Sequence, residues 1–461
     1  MLSWDWSSAR LVPVIAWTRG YPLYPPAGEG PITDMIYGPL GAMVYLPAAA
    51  CSSPTGAIVT GGIIAHLLLV VPILFIHLRV VPADGRSMLL ALLCASGTYL
   101  SLALTRGTRY WLENIHADAP ALGFAILACG FLISKEKGSP PSNRSLLGSA
   151  VCATLAMFSK QVEMPLLPAF TAWIWSVFGR RAALRYAPAV AGTTIVLLLL
   201  SILLFGSGPL FFNLFVVPSR HPWETSFTAA VAQFLILLPI PTAILFIGGI
   251  LVWLAVPSGL SHPRRPFTEP ATILLMAAAA LVPTALLSRV KTGGRDNSFH
   301  PLLFLFVAAS VFLLRGATVP GNSRVRRIGA VLVCVCVLAI GGMALTALST
   351  FRAIPSAEAF RNNPLEMALS FSREHPRQVY YPWNPLITLL SEGELYHFDY
   401  GVFDRELAGF PVTEENYRKH IPSDLHWMGA GEEALKHLGQ SYRFVPVQGL
   451  PKIVFSVEAQ R

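Results

Sequence analysis

The chain has 461 residues, of which 54% are hydrophobic and only 13% charged, and its mean hydropathy is +0.56. A soluble domain carries about 25% charged residues, and half of that cannot cover a water-facing surface at this length. Lipid must solvate much of the chain. Recurrent apolar runs of roughly 18–20 residues match helices crossing a bilayer core, and the short alternating segments of a β-barrel are missing.

The net charge of +9 is unevenly placed, with 23 Lys and Arg against 11 Asp and Glu in residues 1–350, and 11 against 14 in residues 351–461. A basic membrane part reads as an orientation signal and as contact with lipid headgroups. Nucleic acid is excluded as a partner, because no basic cluster sits on a soluble module. Cys51, Cys94, Cys129, Cys152, Cys334 and Cys336 all fall in or beside apolar segments, which makes them packing residues rather than a disulfide or zinc framework.

In chain order, a short apolar patch at 37–50 contains Pro39 and Pro47 and predicts a helix lying at the outer interface. Spans are predicted near 57–78, 87–105, 119–134, 146–159, 162–179, 187–206, 228–256, 271–288, 301–315 and 329–350. Alternate loops carry 14 and 7 basic residues. The richer set, from Arg79 and Arg86 to Arg326 and Arg327, is cytoplasmic by the positive-inside rule. This places residues 351–461 outside. It also leaves residues 1–56 outside with no preceding span, the pattern expected if a first transmembrane helix is missing.

The distinctive polar residues collect on the outer side, among them Asp5, Asp34, Glu113, His116, Asp118, Lys160, Gln161, Asn213, His221, Arg295, Asn297 and His300. Ionisable groups at a bilayer edge cost free energy, so their concentration at one face suggests a site opening outward. Lys160-Gln161 interrupts one apolar run and forms a tight turn. There the ammonium suits a phosphate, or snorkels to lipid headgroups. Asp118 and Pro120 stand where a span begins and fit helix capping as well as ligand contact. Gly293-Gly-Arg-Asp-Asn-Ser-Phe-His300 opens a later span, with two glycines that permit close backbone approach and an Arg295 that can fork onto phosphate. In the tail, strands are expected at Val379-Tyr-Tyr, Tyr442 to Val445 and Ile453 to Val457, and helices at Pro385 to Ser391 and Glu432 to Leu438. Tyr396 to Asp399 and Asp404-Arg405 are read as solvated surface rather than acceptor contacts.

This layout resembles the GT-C superfamily of polytopic glycosyltransferases, of the ArnT, protein-mannosyltransferase and Rgt-like type. Trp4-Asp5-Trp6, Arg19-Gly-Tyr-Pro-Leu-Tyr24 and Tyr37-Gly-Pro-Leu40 look like the family's first outer loop. His116-Ala-Asp118-Ala-Pro, Ser159-Lys160-Gln161 and Asp296-Asn297 to His300-Pro301 resemble its later outer turns. The resemblance implies an α-helical polytopic membrane protein with about ten spans and a small C-terminal α/β extracytoplasmic domain. It divides the chain into an outer loop at 1–56, a transmembrane glycosyltransferase-like domain at 57–350 and a soluble domain at 351–461.

The activity it implies is sugar transfer from a polyprenyl-phosphate carrier to a lipid, glycan or protein acceptor hydroxyl, outside the bacterial inner membrane. Asp5 matches the family's catalytic acid but carries Trp6 where a second acid is usual, which makes Asp34 the reserve base. Tyr37, His116, Asp118, Lys160, Gln161, Arg295, Asn297 and His300 are the implied substrate-binding positions. No cofactor is certain; some relatives use a divalent metal and others do not, so the metal stays open. A transporter or lipid-linked glycan flippase, and a catalytically degenerate envelope assembly protein, are the competing readings. Against transport, the charges sit at one face rather than at mid-membrane between related halves.

Overall fold

The computed structural model describes residues 4–80, 88, 91–92, 95–96, 98–99, 114–134, 139–237, 270–317, 363–429, 431–438, 442–446 and 455–459. The expected span at 329–350 and the second half of that at 228–256 lie outside the described residues. The span at 87–105 is described only at scattered positions, all helical.

The first loop contains more helix than expected. Helix α1, Trp4–Trp17, precedes a turn and extended loop, and α2, Leu40–Met43, leads into a 3-10 turn at Leu46–Ala50. The two prolines of this patch break it into these short pieces, as the sequence implies. Then α3, Pro54–Arg79, starts on a Ser53 side chain that accepts from Gly56 N at 3.1 Å, with Pro54 in its first turn. Helices α4, Asp118–Leu132, α5, Asn143–Ser159, α6, Leu166–Phe178, and α7, Arg180–Phe205, follow. Gly179 turns α6 into α7 at φ 86°, a left-handed conformation that glycine adopts without a Cβ clash. A helical segment over 207–220 leads to α8, Phe227–Leu237, and then to α9, Pro270–Val290, and α10, His300–Ala317.

Among the described residues α3, α7 and α9 are long and apolar enough to cross a membrane, and α4, α8 and α10 add shorter apolar segments. Leu199 on α7 is 60% exposed and Leu203 is 80% exposed. An apolar face so bare is unfavourable in water and at home in lipid. These helices describe a multi-pass membrane protein. Helices α3 and α4 approach so closely that a Cβ on Gly123 would overlap the Leu68 carbonyl, the small-residue contact typical of helices packed in membranes.

At one end of the bundle, Arg79 Nη2 donates to Ser145 Oγ at 2.9 Å and Arg185 Nη1 to Asn143 Oδ1 at 2.8 Å. The first loop and the C-terminal part sit at the other end. There Thr55 N donates to Glu366 Oε1 at 2.9 Å, and the Phe205 ring meets Trp17 and Tyr24.

In the C-terminal part, helices α11, Pro364–Glu374, α12, Pro385–Ser391, α13, Asp399–Leu407, α14, Glu414–Lys419, and α15, Glu432–Leu438, accompany a four-stranded sheet. Its strands are β1, Val379–Tyr380, β2, Trp427–Met428, β3, Tyr442–Pro446, and β4, Phe455–Ala459, in the order β1-β2-β4-β3. Val379 pairs Trp427 in parallel, whereas β4 runs antiparallel to both β2 and β3. The mixed α/β character matches the expectation, and α11, α13, α14 and β2 are additions to it. Tyr380, Val402, Tyr417, Met428 and Leu438 form a core that also takes in Ile32 of the first loop.

The solvated face expected at 396–399 and 404–405 is instead buried. Tyr396, His397, Phe398, Asp399, Asp404 and Arg405 are all under 9% exposed, because the first loop packs over them. Phe398 N donates to Ile32 O at 2.9 Å, and Ile32 N donates to His397 Nδ1 at 3.1 Å.

Candidate active site

Four chain segments that are remote in sequence bring charged side chains to one end of the bundle. The close of α5 supplies Lys160, whose backbone N donates to Ala156 O at 3.0 Å before the chain turns extended. The start of α4 supplies Asp118, and Lys160 Nζ donates to its Oδ1 in a short ion pair with both side chains buried. On the other carboxylate oxygen, His116 Nδ1 lies at 2.8 Å and Asn297 Nδ2 donates at 3.3 Å. His300, buried at the head of α10, is near enough to contribute to the field at Asp118. Burial outweighs the pull of Asp118 on His116 and lowers its pKa to about 4, so the ring is neutral, and its Nδ1 also faces Asp118 N at 3.3 Å.

This geometry settles two alternatives. Lys160 does not snorkel to lipid headgroups, since it is buried on Asp118. Asp118 is the first residue of α4 and makes no capping hydrogen bond, since the N-cap is Ala117 with no side-chain cap.

The first loop supplies the second charged pair. Arg10 Nη1 of α1 stands 2.7 Å from Asp34 Oδ2, while Asp34 Oδ1 accepts no hydrogen bond among the described residues. Burial is the main influence on Asp34 and raises its pKa. Arg10 and His221 oppose that, Asp404 adds to it, and the net result is about 6. Between the two pairs stands Tyr37, with the Arg10 guanidinium 5.3 Å from its ring centroid, Lys160 Nζ at 5.5 Å and the His116 ring at 4.9 Å. Arg10, Asp34, Tyr37, Tyr45 and His116 line a small pocket, and the Tyr45 hydroxyl donates to His116 O at 2.8 Å.

Of the expected site residues, Asp34, Tyr37, His116, Asp118, Lys160, Asn297 and His300 converge here. Gln161 is adjacent but structural in its contacts, its Nε2 donating to Ile36 O at 2.8 Å and Leu214 O at 3.1 Å. Arg295 is exposed and has no ion pair among the described residues. Asp5 lies in the first turn of α1, but its side chain falls outside the described residues.

Sequence reasoning missed Arg10, hidden in a stretch read as loop. It also missed Glu163, a fully buried acid three residues beyond Lys160 whose carboxylate oxygens accept no hydrogen bond among the described residues. An acid inside an apolar run was the available signal. As for a metal, the group of His, Cys, Asp and Glu ligand atoms lying within 4.8 Å of one another is Glu406, Glu433 and His437, where Lys436 Nζ already bonds both glutamates. Neither Asp34 nor Asp118 belongs to such a group among the described residues.

A polytopic helical membrane bundle with a mixed α/β part over one end is the class this architecture defines. No protein-family model and no curated protein matches the chain. Among solved structures it is similar to ArnT from Cupriavidus metallidurans bound to undecaprenyl phosphate, with a TM-score of 0.54 and 13% identity over 98% of this chain and 93% of that one. The apo state of the same protein gives a TM-score of 0.53 at 13% identity, over 98% of this chain and 92% of that one. The chain therefore has the ArnT fold over nearly its whole length, as the loop motifs implied.

Proposed function

We propose that the chain is a membrane glycosyltransferase that moves a sugar from a polyprenyl-phosphate carrier to an acceptor hydroxyl at the extracytoplasmic face of a bacterial inner membrane. The observation that carries this reading is the convergence of Arg10–Asp34 and Lys160–Asp118 around Tyr37, on a fold shared with a protein crystallised with undecaprenyl phosphate. Orientation follows from charge. Arg79, Arg144, Arg180, Arg181 and Arg185 lie at the end opposite the site, and the positive-inside rule makes that end cytoplasmic.

In this reading Asp34 is the general base. A carboxylate of pKa about 6 is ionised at neutral pH yet more basic than an exposed one. As the acceptor oxygen attacks the anomeric carbon, its proton passes to Asp34 and the bond from carbon to phosphate oxygen breaks. The carrier leaves as a phosphate anion, whose charge the Lys160 ammonium and the Arg10 guanidinium stabilise. One carboxylate suffices for a single inverting displacement, in contrast to the paired acids of retaining hydrolases. Asp5, in the same loop, is the alternative base.

The test is mass analysis of envelope lipids and glycans in a deletion strain complemented with the native chain, Asp34→Asn or Asp5→Asn. One species should lose the mass of a single sugar on deletion, and Asp34→Asn at normal membrane abundance should fail to restore it. Restoration by Asp34→Asn with failure by Asp5→Asn would move the base to Asp5. An unaltered glycan profile on deletion would rule out transfer.

A further inference from the structure

Helix α13 of the C-terminal part reaches into the site just described. Gly401 lies so close to the first loop that a Cβ there would stand 3.0 Å from the Thr33 carbonyl carbon and 3.2 Å from Asp34 N. One turn on, Asp404 is buried with its Oδ1 3.2 Å from Nε2 of His221, itself buried in the loop after residues 217–220. Next to it, Arg405 Nη2 donates to Asn213 Oδ1 at 2.7 Å and to Pro25 O at 3.2 Å. The helix is thus fixed at three points, one against the Asp34 backbone, one on His221 and one on the 212–216 segment.

We propose that α13 completes the site, and that Asp404, ion-paired with His221, is a positioning residue that sets the electrostatic surroundings of Asp34. The proposal rests on the glycosyl-transfer reading for its catalytic meaning, but its geometry stands apart from it. A like charge held near a buried carboxylate disfavours ionisation, and a cation favours it. Arg10 faces Asp34 from α1, Tyr37 from the first loop, Tyr400 and Asp404 from α13, and His221 from the loop after 217–220. Arg10 is fixed and always charged, and Tyr37 and Tyr400 stay neutral because burial raises both phenols.

Asp404 and His221 are therefore the adjustable members. Burial opposes charge on His221 and Lys291 adds to that, but Asp404 outweighs both and raises the imidazole above its ordinary value. Fixing this pair on a helix of the C-terminal part ties the proton affinity of the base to correct seating of that part.

The experiment is an infrared titration of the Asp34 carboxyl in the purified full chain, isolated by subtracting the spectrum of Asp34→Asn. His221→Gln should move its midpoint up by about half a unit to one unit, and adding Asp404→Asn in that background, where no imidazole is left to discharge, should move it down again by a similar amount. Opposite shifts are not the signature of general loosening, and unchanged thermal midpoints would confirm that both variants fold. Coincident or unmoved midpoints would overturn the proposal. Because the measurement needs no turnover, absence of sugar transfer would sink the enzymatic reading alone, while unmoved midpoints would sink this inference alone.

Discussion

Lys160 and Asp118, 42 residues apart in the chain, form an ion pair with both side chains under 9% exposed, and this pair joins the end of α5 to the start of α4. His116 and Asn297 meet the second carboxylate oxygen, so three segments close on one carboxylate. Two buried charges gain little net stability over an apolar pair, because desolvation offsets their attraction. Under the proposed reading the ammonium serves the phosphate rather than stability alone.

Removing one partner strands the other. Lys160→Met should cost about 3–5 kcal/mol of stability in detergent, read as a lowered thermal midpoint. The double variant Asp118→Asn/Lys160→Met should recover most of that loss, since no uncompensated charge is left. Under the proposed reading sugar transfer should not recover, because the cation assigned to the phosphate is gone. A double variant with native transfer would show that the pair is only structural.

Asp34 ties stability and activity to pH in opposite senses. Its pKa is raised in the folded chain from 3.8 to about 6, so the folded state holds this proton more tightly than the unfolded chain. The stabilisation is complete below about pH 4 and is lost as pH rises through 6, with an amplitude of order 3 kcal/mol. With Asp34 as the proposed base, transfer requires the ionised form, and its rate should fall about tenfold per unit as pH drops below 6. Denaturation across this range should show the trend in the native chain and lose it in Asp34→Asn. A rate that is flat between pH 5 and 7 would remove Asp34 from the role of base.

The spans and polar turns were legible because they rest on local signals. Apolar length predicts α3, α7 and α9 within a few residues at most ends, and lone polar turns such as Lys160-Gln161 stand out against it. The second half of the site was not legible. Arg10 sits in an apolar helix carrying Pro13, which reads as loop, and its partner Asp34 is 24 residues away. Burial of the tail depends on contacts such as Ile32 N with His397 Nδ1, 365 residues apart. Periodicity reports which face of an element is apolar. It carries no information about which distant surface covers a polar face, and so the run from Tyr396 to Arg405 reads as solvated.

Gly38 offers a test of how tightly the loop is pressed on the bundle. A Cβ at Gly38 would overlap the Phe158 carbonyl, and one at Gly41 would stand 2.7 Å from Ser159 O, so the loop lies against the last turn before Lys160. Gly38→Ala must displace Tyr37 or the Lys160 turn, costing about 1–3 kcal/mol, with transfer reduced more than tenfold. Gly192→Ala on α7 is the control, because a Cβ there meets nothing within 4 Å. Equal behaviour of the two variants would mean that the loop is not held at this distance.

Arg405 fixes α13 through Asn213 and the Pro25 carbonyl, and its guanidinium also lies 4.5 Å from the Phe212 ring centroid. Burial lowers its pKa to about 10, against the pull of the adjacent Asp404, yet it stays charged at neutral pH. Hydrogen bonds from a charged donor contribute about 1.5–3 kcal/mol, and Arg405→Met takes the donor from the buried Asn213 Oδ1, while Pro25 O keeps Asn213 Nδ2 at 2.9 Å. The expected loss is about 2–3 kcal/mol, with faster tryptic cleavage in the C-terminal part as α13 lifts from the first loop. Asn213→Ala removes the same Arg405 contact, and only the double variant leaves Pro25 O without either donor, so its loss should depart from the sum of the two by about 0.5 kcal/mol or more. Strict additivity would mean that the two residues do not act as one clamp, and that α13 is seated on the loop by Gly401 and His221 alone.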